Sequence, residues 1–312
     1  MKKPKLNIAL AVDDNFVYPL SVLIVSLLEN NKQNDIKVHL FSASIKEVNI
    51  TKIKELINSY NQKFRFYKLN QSDFANLPHK DRISVAAFYR VLIPEVIEES
   101  VDKYLYLDAD IIVLGDISPL FEIDLKDYVI AAINDIAAID MKKHDKHNIP
   151  EKYLYFNSGV LLVDKNNWLK ANAGQRILKY RIENHDICDF LDQDGFNGAL
   201  FKERLSIPPK WNQQIGLYFI SYNVAEKVYE NSTDIIEALK QPIIVHFNGR
   251  EKPWNQVSAH PFQREFDKYS GMISSFKYYE AFNWKKFIKR NFIYKIFGWI
   301  NVNRYYYYKT KD

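Results

Sequence analysis

The chain of 312 residues has one cysteine, Cys188, and nine glycines. A single thiol makes no intramolecular disulfide, no four-cysteine zinc site and no Cys-x-x-Cys redox pair, so a reducing compartment is the default expectation. The glycines are too few and too badly spaced for the glycine-rich phosphate loops of dinucleotide-binding or P-loop proteins, so a nucleotide has to be held some other way. Long apolar runs are missing too. Nothing reaches the roughly 18–20 residues of a membrane span. The short apolar stretch between Met1-Lys2-Lys3-Pro4-Lys5 and Asp13-Asp14 is too brief for a signal-peptide core, so a cytoplasmic location is expected.

What is present is unevenly distributed. The formal charge is +5, but residues 276–312 hold nine Lys/Arg against two Asp/Glu, which is +7 and leaves −2 for residues 1–275. Fourteen of those last 37 residues are Phe, Tyr or Trp. A mildly acidic body and a basic, aromatic tail share one chain, and 1–275 and 276–312 are expected to be two domains.

In the body, β-rich runs alternate with helical patterns. Leu6–Val12 reads as a buried strand, Val17–Glu29 as a helix, Lys37–Ser42 as a strand, Glu47–Tyr60 as a helix and Phe64–Leu69 as a strand. That rhythm implies parallel strands joined by right-handed crossovers. Ala86–Glu99 reads as a further helix, and Tyr104–Val113, Val129–Asn134, Phe156–Val163 and Ile243–Phe247 as further strands. The expected fold class is α/β, a single doubly wound mixed sheet with a helical tail.

Asp108-Ala109-Asp110 lies inside the apolar run Tyr104–Val113. Two carboxylates there are costly to bury unpaired, so something cationic must meet them. At period two they are expected on the same side of an extended chain. That arrangement suits a hard divalent cation with diphosphate oxygens completing its shell, but also a turn cap or pairing with Lys or Arg. A second segment, Ile243 through Trp254, places His246 at a strand end, followed by Gly249 and Lys252. The imidazole is either a third metal ligand or a hydrogen-bonded core residue. Gly249 permits close backbone approach to phosphate, and Lys252 adds a point charge.

With these residues in place the chain resembles the family 8 glycosyltransferases, which are retaining, nucleotide-sugar-dependent enzymes. The matching pieces are Ala11-Val12-Asp13-Asp14-Asn15, Phe88-Tyr89-Arg90, Leu105 through Asp110, Phe156 through Leu162, Asp192-Gln193-Asp194 and His246 through Trp254, in family order over about 240 residues. The resemblance implies a GT-A-type fold and a UDP-hexose donor, UDP-galactose or UDP-glucose. It implies a saccharide acceptor such as lipopolysaccharide or another lipid-linked glycan. Mn²⁺ or Mg²⁺ is implied as cofactor, held by Asp108, Asp110 and His246.

By the same resemblance Asp13 and Asn15 read the uracil, although this triplet also suits an N-cap. Gly249 and Lys252 contact the diphosphate. Arg90, Asn157, Asp192 and Gln193 surround the transferred sugar, Asp135 faces the acceptor, and Asp81-Arg82-Ile83-Ser84 also matches the family's acceptor side. Retention ordinarily calls for a carboxylate nucleophile on the opposite face. Gln193 occupies that place and an amide is a poor nucleophile, so a front-face route is expected, with Asp192 as the remaining covalent candidate.

The tail segment Trp284–Ile300, continued by Tyr305–Tyr308 and Lys309–Lys311, mixes cations with large apolar groups. It is expected to lie on an anionic membrane surface, making the protein peripheral on the inner face of the cell membrane. The alternatives are packing on the catalytic domain and nucleic-acid binding. No nucleic-acid module is recognised and the body is net negative, so no nucleic-acid partner is expected. Two other readings of the whole chain are a sugar nucleotidyltransferase, which normally needs a glycine-rich triphosphate loop after the first strand, and a nucleotide-sugar-binding subunit without turnover.

Overall fold

The computed structural model describes residues 5–70, 85–220, 222–229, 232–249, 251–255, 258–276, 278, 280 and 282–300. The segment Asp81–Ser84 and the terminal Tyr305–Lys311 lie outside the described residues.

β1 (Lys5–Ala11), α1 (Val17–Glu29), β2 (Asp35–Ser42), α2 (Glu47–Ser59) and β3 (Lys63–Lys68) follow one another as the alternating pattern predicts. β4 (Lys103–Leu107), β6 (Ile130–Asn134), β7 (Phe156–Asp164) and β8 (Arg204–Ser206) complete a seven-stranded sheet in the order β3-β2-β1-β4-β7-β6-β8. Only β7 runs against the others: β1 pairs in parallel with β2 and β4, whereas β7 is antiparallel to β4 and β6. A small second sheet joins β5 (Ile111–Val113), β10 (Ile244–His246) and β9 (Gln213–Gln214).

Helices cover both faces, which is why the strands are apolar almost throughout. Leu6, Ile8 and Leu10 of β1 share one cluster with Leu20, Leu23 and Leu27 of α1. The intervening Ala9 and Ala11 belong to a second cluster with Tyr104, Tyr106 and Phe156 on the other face. Ile8 is fully buried, which is worth about 1.5–3 kcal/mol for a side chain of its size. A carboxylate in its place would break this layer.

Two expectations are corrected. The run Tyr104–Val113 is not one strand. β4 ends at Leu107 and β5 begins at Ile111 in the other sheet, so Asp108-Ala109-Asp110 is a turn between sheets and not part of an extended strand, although its two carboxylates still converge. The physical cause is pairing: the ladder between β4 and β7 ends with the bond from Asp108 N–H to Gly159 C=O at 2.9 Å, and each half-buried carboxylate then turns to a cation on a different element. Likewise Ala86–Glu99 is not one α-helix. It is a 3₁₀ segment, Val85–Leu92, followed by a short α-helix, Ile93–Val96. Pro94 lacks an N–H and its ring opposes the carbonyl four residues earlier, so it sits in the first turn of a new helix.

The sheet order places the topological switch between β1 and β4: the chain moves outward through β2 and β3, then returns to the other side of β1. Ligands in open α/β sheets bind outside the carboxyl ends of strands at such a point. Asp13 follows β1, Asp108 follows β4, Asp135 follows β6, and Asn157 opens the reversed strand β7, all on that rim.

Candidate active site

Asp108, Asp110 and His246 each offer a ligand atom, and these atoms lie within 4.8 Å of one another. Each side chain comes from a different constraint. Asp108 closes β4 and accepts from Tyr106 OH at 2.8 Å. Its Oδ1 also meets Arg90 Nη2 at 2.8 Å. Asp110 opens toward β10, with its Oδ1 3.2 Å from His246 Nε2 and its Oδ2 2.6 Å from Lys252 Nζ. Lys252 also donates to the backbone C=O of Phe247 at 2.6 Å, which ties the segment after β10 back to its own strand.

Arg90 is buried between two carboxylates. Besides Asp108, its Nε lies 3.0 Å from Asp192 Oδ2, its Nη1 donates to Ser158 C=O at 2.7 Å, and its plane covers the Tyr106 ring at 4.6 Å. Burial alone lowers an arginine pKa, but the fields of Asp108 and Asp192 outweigh it and hold this one above its ordinary value. For Asp110 burial acts upward, yet Lys252 and His246 together hold the carboxyl well below the usual range. Asp192 goes the other way: burial pushes it up to about 6 against the pull of Arg90, with Asp108 adding to the rise.

A chain of amides joins the metal-ligand cluster to the sugar and acceptor residues, and backbone donors set its polarity. Gly159 N–H donates to Asn157 Oδ1 at 2.9 Å, so that atom is the carbonyl oxygen. It also receives Asn212 Nδ2 at 2.9 Å, which turns Asn212 Oδ1 toward His246 Nδ1, 3.1 Å away. The histidine therefore carries a proton on Nδ1 and turns Nε2 toward Asp108 and Asp110. By the same reasoning Ser158 N–H donates to Gln193 Oε1 at 3.2 Å, leaving Gln193 Nε2 to donate to Asp135 Oδ2 at 3.0 Å. Asn157 Nδ2 bridges Gln193 Oε1 and Asp135 Oδ2 at 3.0 and 3.3 Å.

The helix Leu191–Leu200 brings Asp192 and Gln193 to this rim in its first turn, where acidic groups suit the helix dipole. Asn197 fixes it there, accepting from Phe156 N–H and donating to Phe156 C=O, both at 2.8 Å. Asp194 faces away from the cluster, fully buried, and takes hydrogen bonds from Tyr155 OH at 2.5 Å and Phe190 N–H at 2.7 Å, with His147 Nε2 2.9 Å off.

The structure thus gathers Arg90, Asp108, Asp110, Asp135, Asn157, Asp192, Gln193, His246 and Lys252. Asp13 and Asn15 stand at the end of the adjacent β1, where the Asp13 carboxylate caps the following turn by accepting from Asn15 N–H at 2.9 Å. Gly249 closely approaches Ile215, whose Cδ1 would lie 3.0 Å from an added Cβ. Three contributors were not singled out from sequence. Asn212 sits in an irregular stretch with no periodic signal. Tyr106 reads as a plain core strand residue. Gly159 had a signal, as the small residue in Asn157-Ser158-Gly159: a Cβ there would fall 2.3 Å from His246 Cε1 and 2.8 Å from Asp108 Oδ2.

Two carboxylates and an imidazole of fixed orientation form a donor set suited to a divalent cation of the Mn²⁺ or Mg²⁺ kind, and the space that a Gly159 side chain would fill is kept clear. The residues present fit such an ion.

Comparison with known proteins agrees with this geometry. The model of glycosyl transferase family 8 matches residues 7–258. General stress protein A of Bacillus subtilis is 31% identical over 279 residues, covering 86% of this chain and 94% of that protein. A lipopolysaccharide 1,2-glucosyltransferase of Escherichia coli K12 is 27% identical over 257 residues, covering 82% of this chain and 75% of that one. Among solved structures, the galactosyltransferase LgtC in complex with donor and acceptor sugar analogues superposes with a TM-score of 0.78 at 24% identity, over 87% of this chain and 98% of that chain. At that identity the likeness shows the fold, the GT-A arrangement of a mixed sheet wound on both faces.

Proposed function

The chain belongs to glycosyl transferase family 8, and from that premise we propose that it transfers galactose or glucose, with retention, from a UDP-sugar to a saccharide acceptor, as lipopolysaccharide or another lipid-linked glycan would present it. The observation that carries this reading is the convergence of Asp108, Asp110 and His246 within 4.8 Å at the switch point.

Those three residues would hold Mn²⁺ or Mg²⁺. A divalent cation bound there supplies Lewis-acid stabilisation of the charge on the UDP leaving group. Lys252 brings a further positive charge to the same diphosphate, and Gly249 lets the backbone approach it. Arg90, held by Asp108, Asp192 and the Ser158 carbonyl, is oriented to position the sugar. Asn157, Asp192 and Gln193 supply the directed donors and acceptors that sugar hydroxyls require. Asp13 and Asn15 suit the uracil, where a carboxylate accepts from N3–H.

The Gln193 amide is committed at both ends, to Asp135 through Nε2 and to Asn157 and Ser158 through Oε1. That favours a role in positioning the sugar over nucleophilic attack. Asp192 is tied to Arg90, which lowers its nucleophilicity. Both features support front-face transfer, in which the departing phosphate oxygen takes the acceptor's proton, and Asp135 faces the incoming hydroxyl.

The tail supports a membrane-surface role and a peripheral, cytoplasmic location. Trp284 and Ile296 are 68% and 70% exposed, and Phe282, Phe292 and Phe297 are exposed beside Lys285, Arg290 and Lys295. No described helix is long and apolar enough to cross a membrane. Aromatics at an interface with cations toward anionic headgroups fit this surface.

The test is UDP release from a panel of UDP-sugars with Mn²⁺ and with chelator. Metal-dependent release from UDP-galactose or UDP-glucose is expected. Absence of metal-dependent release for every sugar, with and without acceptor, sinks the enzymatic reading and leaves the binding-subunit alternative.

A further inference from the structure

We infer that the C-terminal segment forms the outer wall of the donor site, with Glu251 as the positioning residue through which it sets the diphosphate loop. This rests on the reading of Gly249 and Lys252 as diphosphate contacts.

Glu251 lies between those two residues, and its carboxylate is gripped from the tail. Lys289 Nζ is 2.6 Å from Oε1, Tyr294 OH donates to the same oxygen, and Trp299 Nε1–H donates to Oε2 at 3.2 Å. Three donors within eleven residues thus meet one carboxylate in the loop that follows β10. Such charge-assisted bonds are the stronger kind, and their convergence fixes a direction as well as a distance.

Two further contacts press on the same loop. Tyr294 and Trp299 are buried with Phe219 and pack against Ile215 and Tyr218, and Ile215 is the residue that Gly249 approaches. The Trp299 ring also stands 5.2 Å from that of the buried His260, which is 4.7 Å from Phe247. Phe247 N–H donates to Asp110 C=O at 2.9 Å, and its own C=O holds Lys252. The tail therefore braces the stretch after β10 at Glu251, at Gly249 through Ile215, and at Phe247 next to His246.

The segment has two faces with different tasks. Lys289, Tyr294 and Trp299 face the donor loop, whereas Phe282, Trp284, Phe292, Ile296 and Phe297 face outward. A lipid surface holding the outer face orders the segment whose inner face orders the loop. Anionic lipid and nucleoside diphosphate should then bind with positive coupling, by the same factor in each direction.

The experiment measures UDP affinity in Mn²⁺ by calorimetry on the full chain, with and without vesicles of phosphatidylglycerol in phosphatidylcholine. Variants are Glu251→Gln, which weakens the grip on all three donors, and Trp299→Phe, which keeps the ring packing but loses the indole N–H. UDP should bind about tenfold more weakly to Glu251→Gln and a few-fold more weakly to Trp299→Phe, and the two changes together should do little more than the first. Mn²⁺ alone should bind all variants within about twofold, because no metal ligand is altered. Vesicles should tighten UDP binding to the wild type and leave Glu251→Gln unaffected. Wild-type UDP affinity in both variants, or fully additive losses, overturns the inference while leaving the reading of the site intact. Failure of the wild type itself to bind UDP with Mn²⁺ removes the reading and the inference together.

Discussion

The carboxylate cluster and the C-terminal segment are both rich in charge, yet they use it in opposite ways. In the cluster every charge is answered by a partner distant in sequence: Arg90 by Asp108 and Asp192, Asp110 by His246 and Lys252. Among the described residues of the tail, Lys285, Arg290 and Lys295 are exposed and sit beside exposed aromatic rings. Desolvated charges depend on their partners and on position, whereas exposed ones act through the summed field and are screened by salt. The lesson is that a substitution in the cluster should change chemistry, one on the outer tail should change address, and the Glu251 contacts are where the two meet.

The comparison breaks most visibly at Asp110. Asp110→Asn removes a carboxylate ligand and the partner of Lys252, and metal-dependent turnover should fall about 10³-fold or more. Near-normal turnover in that variant, measured as UDP release, would place the chemistry elsewhere. Gly159→Ala probes the same site sterically. A methyl group 2.3 Å from His246 Cε1 must displace the ring, so Mn²⁺ affinity should drop about 100-fold, with the melting temperature as the control for folding.

Asn212→Ala leaves every ligand in place and removes the acceptor for His246 Nδ1–H together with the donor to Asn157 Oδ1. Mn²⁺ binding should weaken about 10–100-fold, with the ring's proton shifting between nitrogens, as ¹⁵N chemical shifts would report. An unchanged tautomer would mean that the ring is oriented by the carboxylates alone.

The pH dependence sharpens the contrast further. Asp192 titrates near 6 in the folded protein because burial opposes its charge, and its carboxylate form is the one that pairs with Arg90. Donor-dependent turnover should therefore fall about tenfold between pH 7 and pH 5, and Asp192→Asn should flatten that limb. Stability moves the other way. The folded state holds this proton up to about pH 6, whereas an unfolded aspartate releases it near ~3.9. The group's contribution to stability is full below about pH 4 and is lost as the pH rises through about 6. The smallest catalytic effect belongs to the outer tail. Lys285→Glu with Lys295→Glu should weaken binding to anionic vesicles by about 2 kcal/mol or more, while turnover on a soluble acceptor changes by less than about twofold.

Much of this was legible from residue patterns. The alternation from Leu6 to Leu69 announces β1 through β3: β1 is buried on both faces and α2 on one, while α1 is buried almost all round and β3 is a half-exposed edge strand. The pairing of Asp108 and Asp110 with cations was readable because carboxylates inside an apolar run have to be answered. The break after Leu107 was hidden, since apolar residues flank it on both sides and periodicity does not register a change of sheet. Asn212 was equally hidden: an amide whose value lies in which neighbour it faces leaves no mark in local sequence. The tail's composition pointed outward to a membrane, and only the folded chain reveals that Tyr294 and Trp299 turn inward onto Glu251.

We propose that donor activation depends on a cation held by Asp108, Asp110 and His246. The most direct measurement is a Mn²⁺ titration of the full chain in the presence of UDP, followed through the electron paramagnetic resonance signal of free Mn²⁺. The account predicts a single site per chain in the wild type that is lost in both Asp108→Asn and Asp110→Asn. Stoichiometric binding that persists in both variants would contradict it.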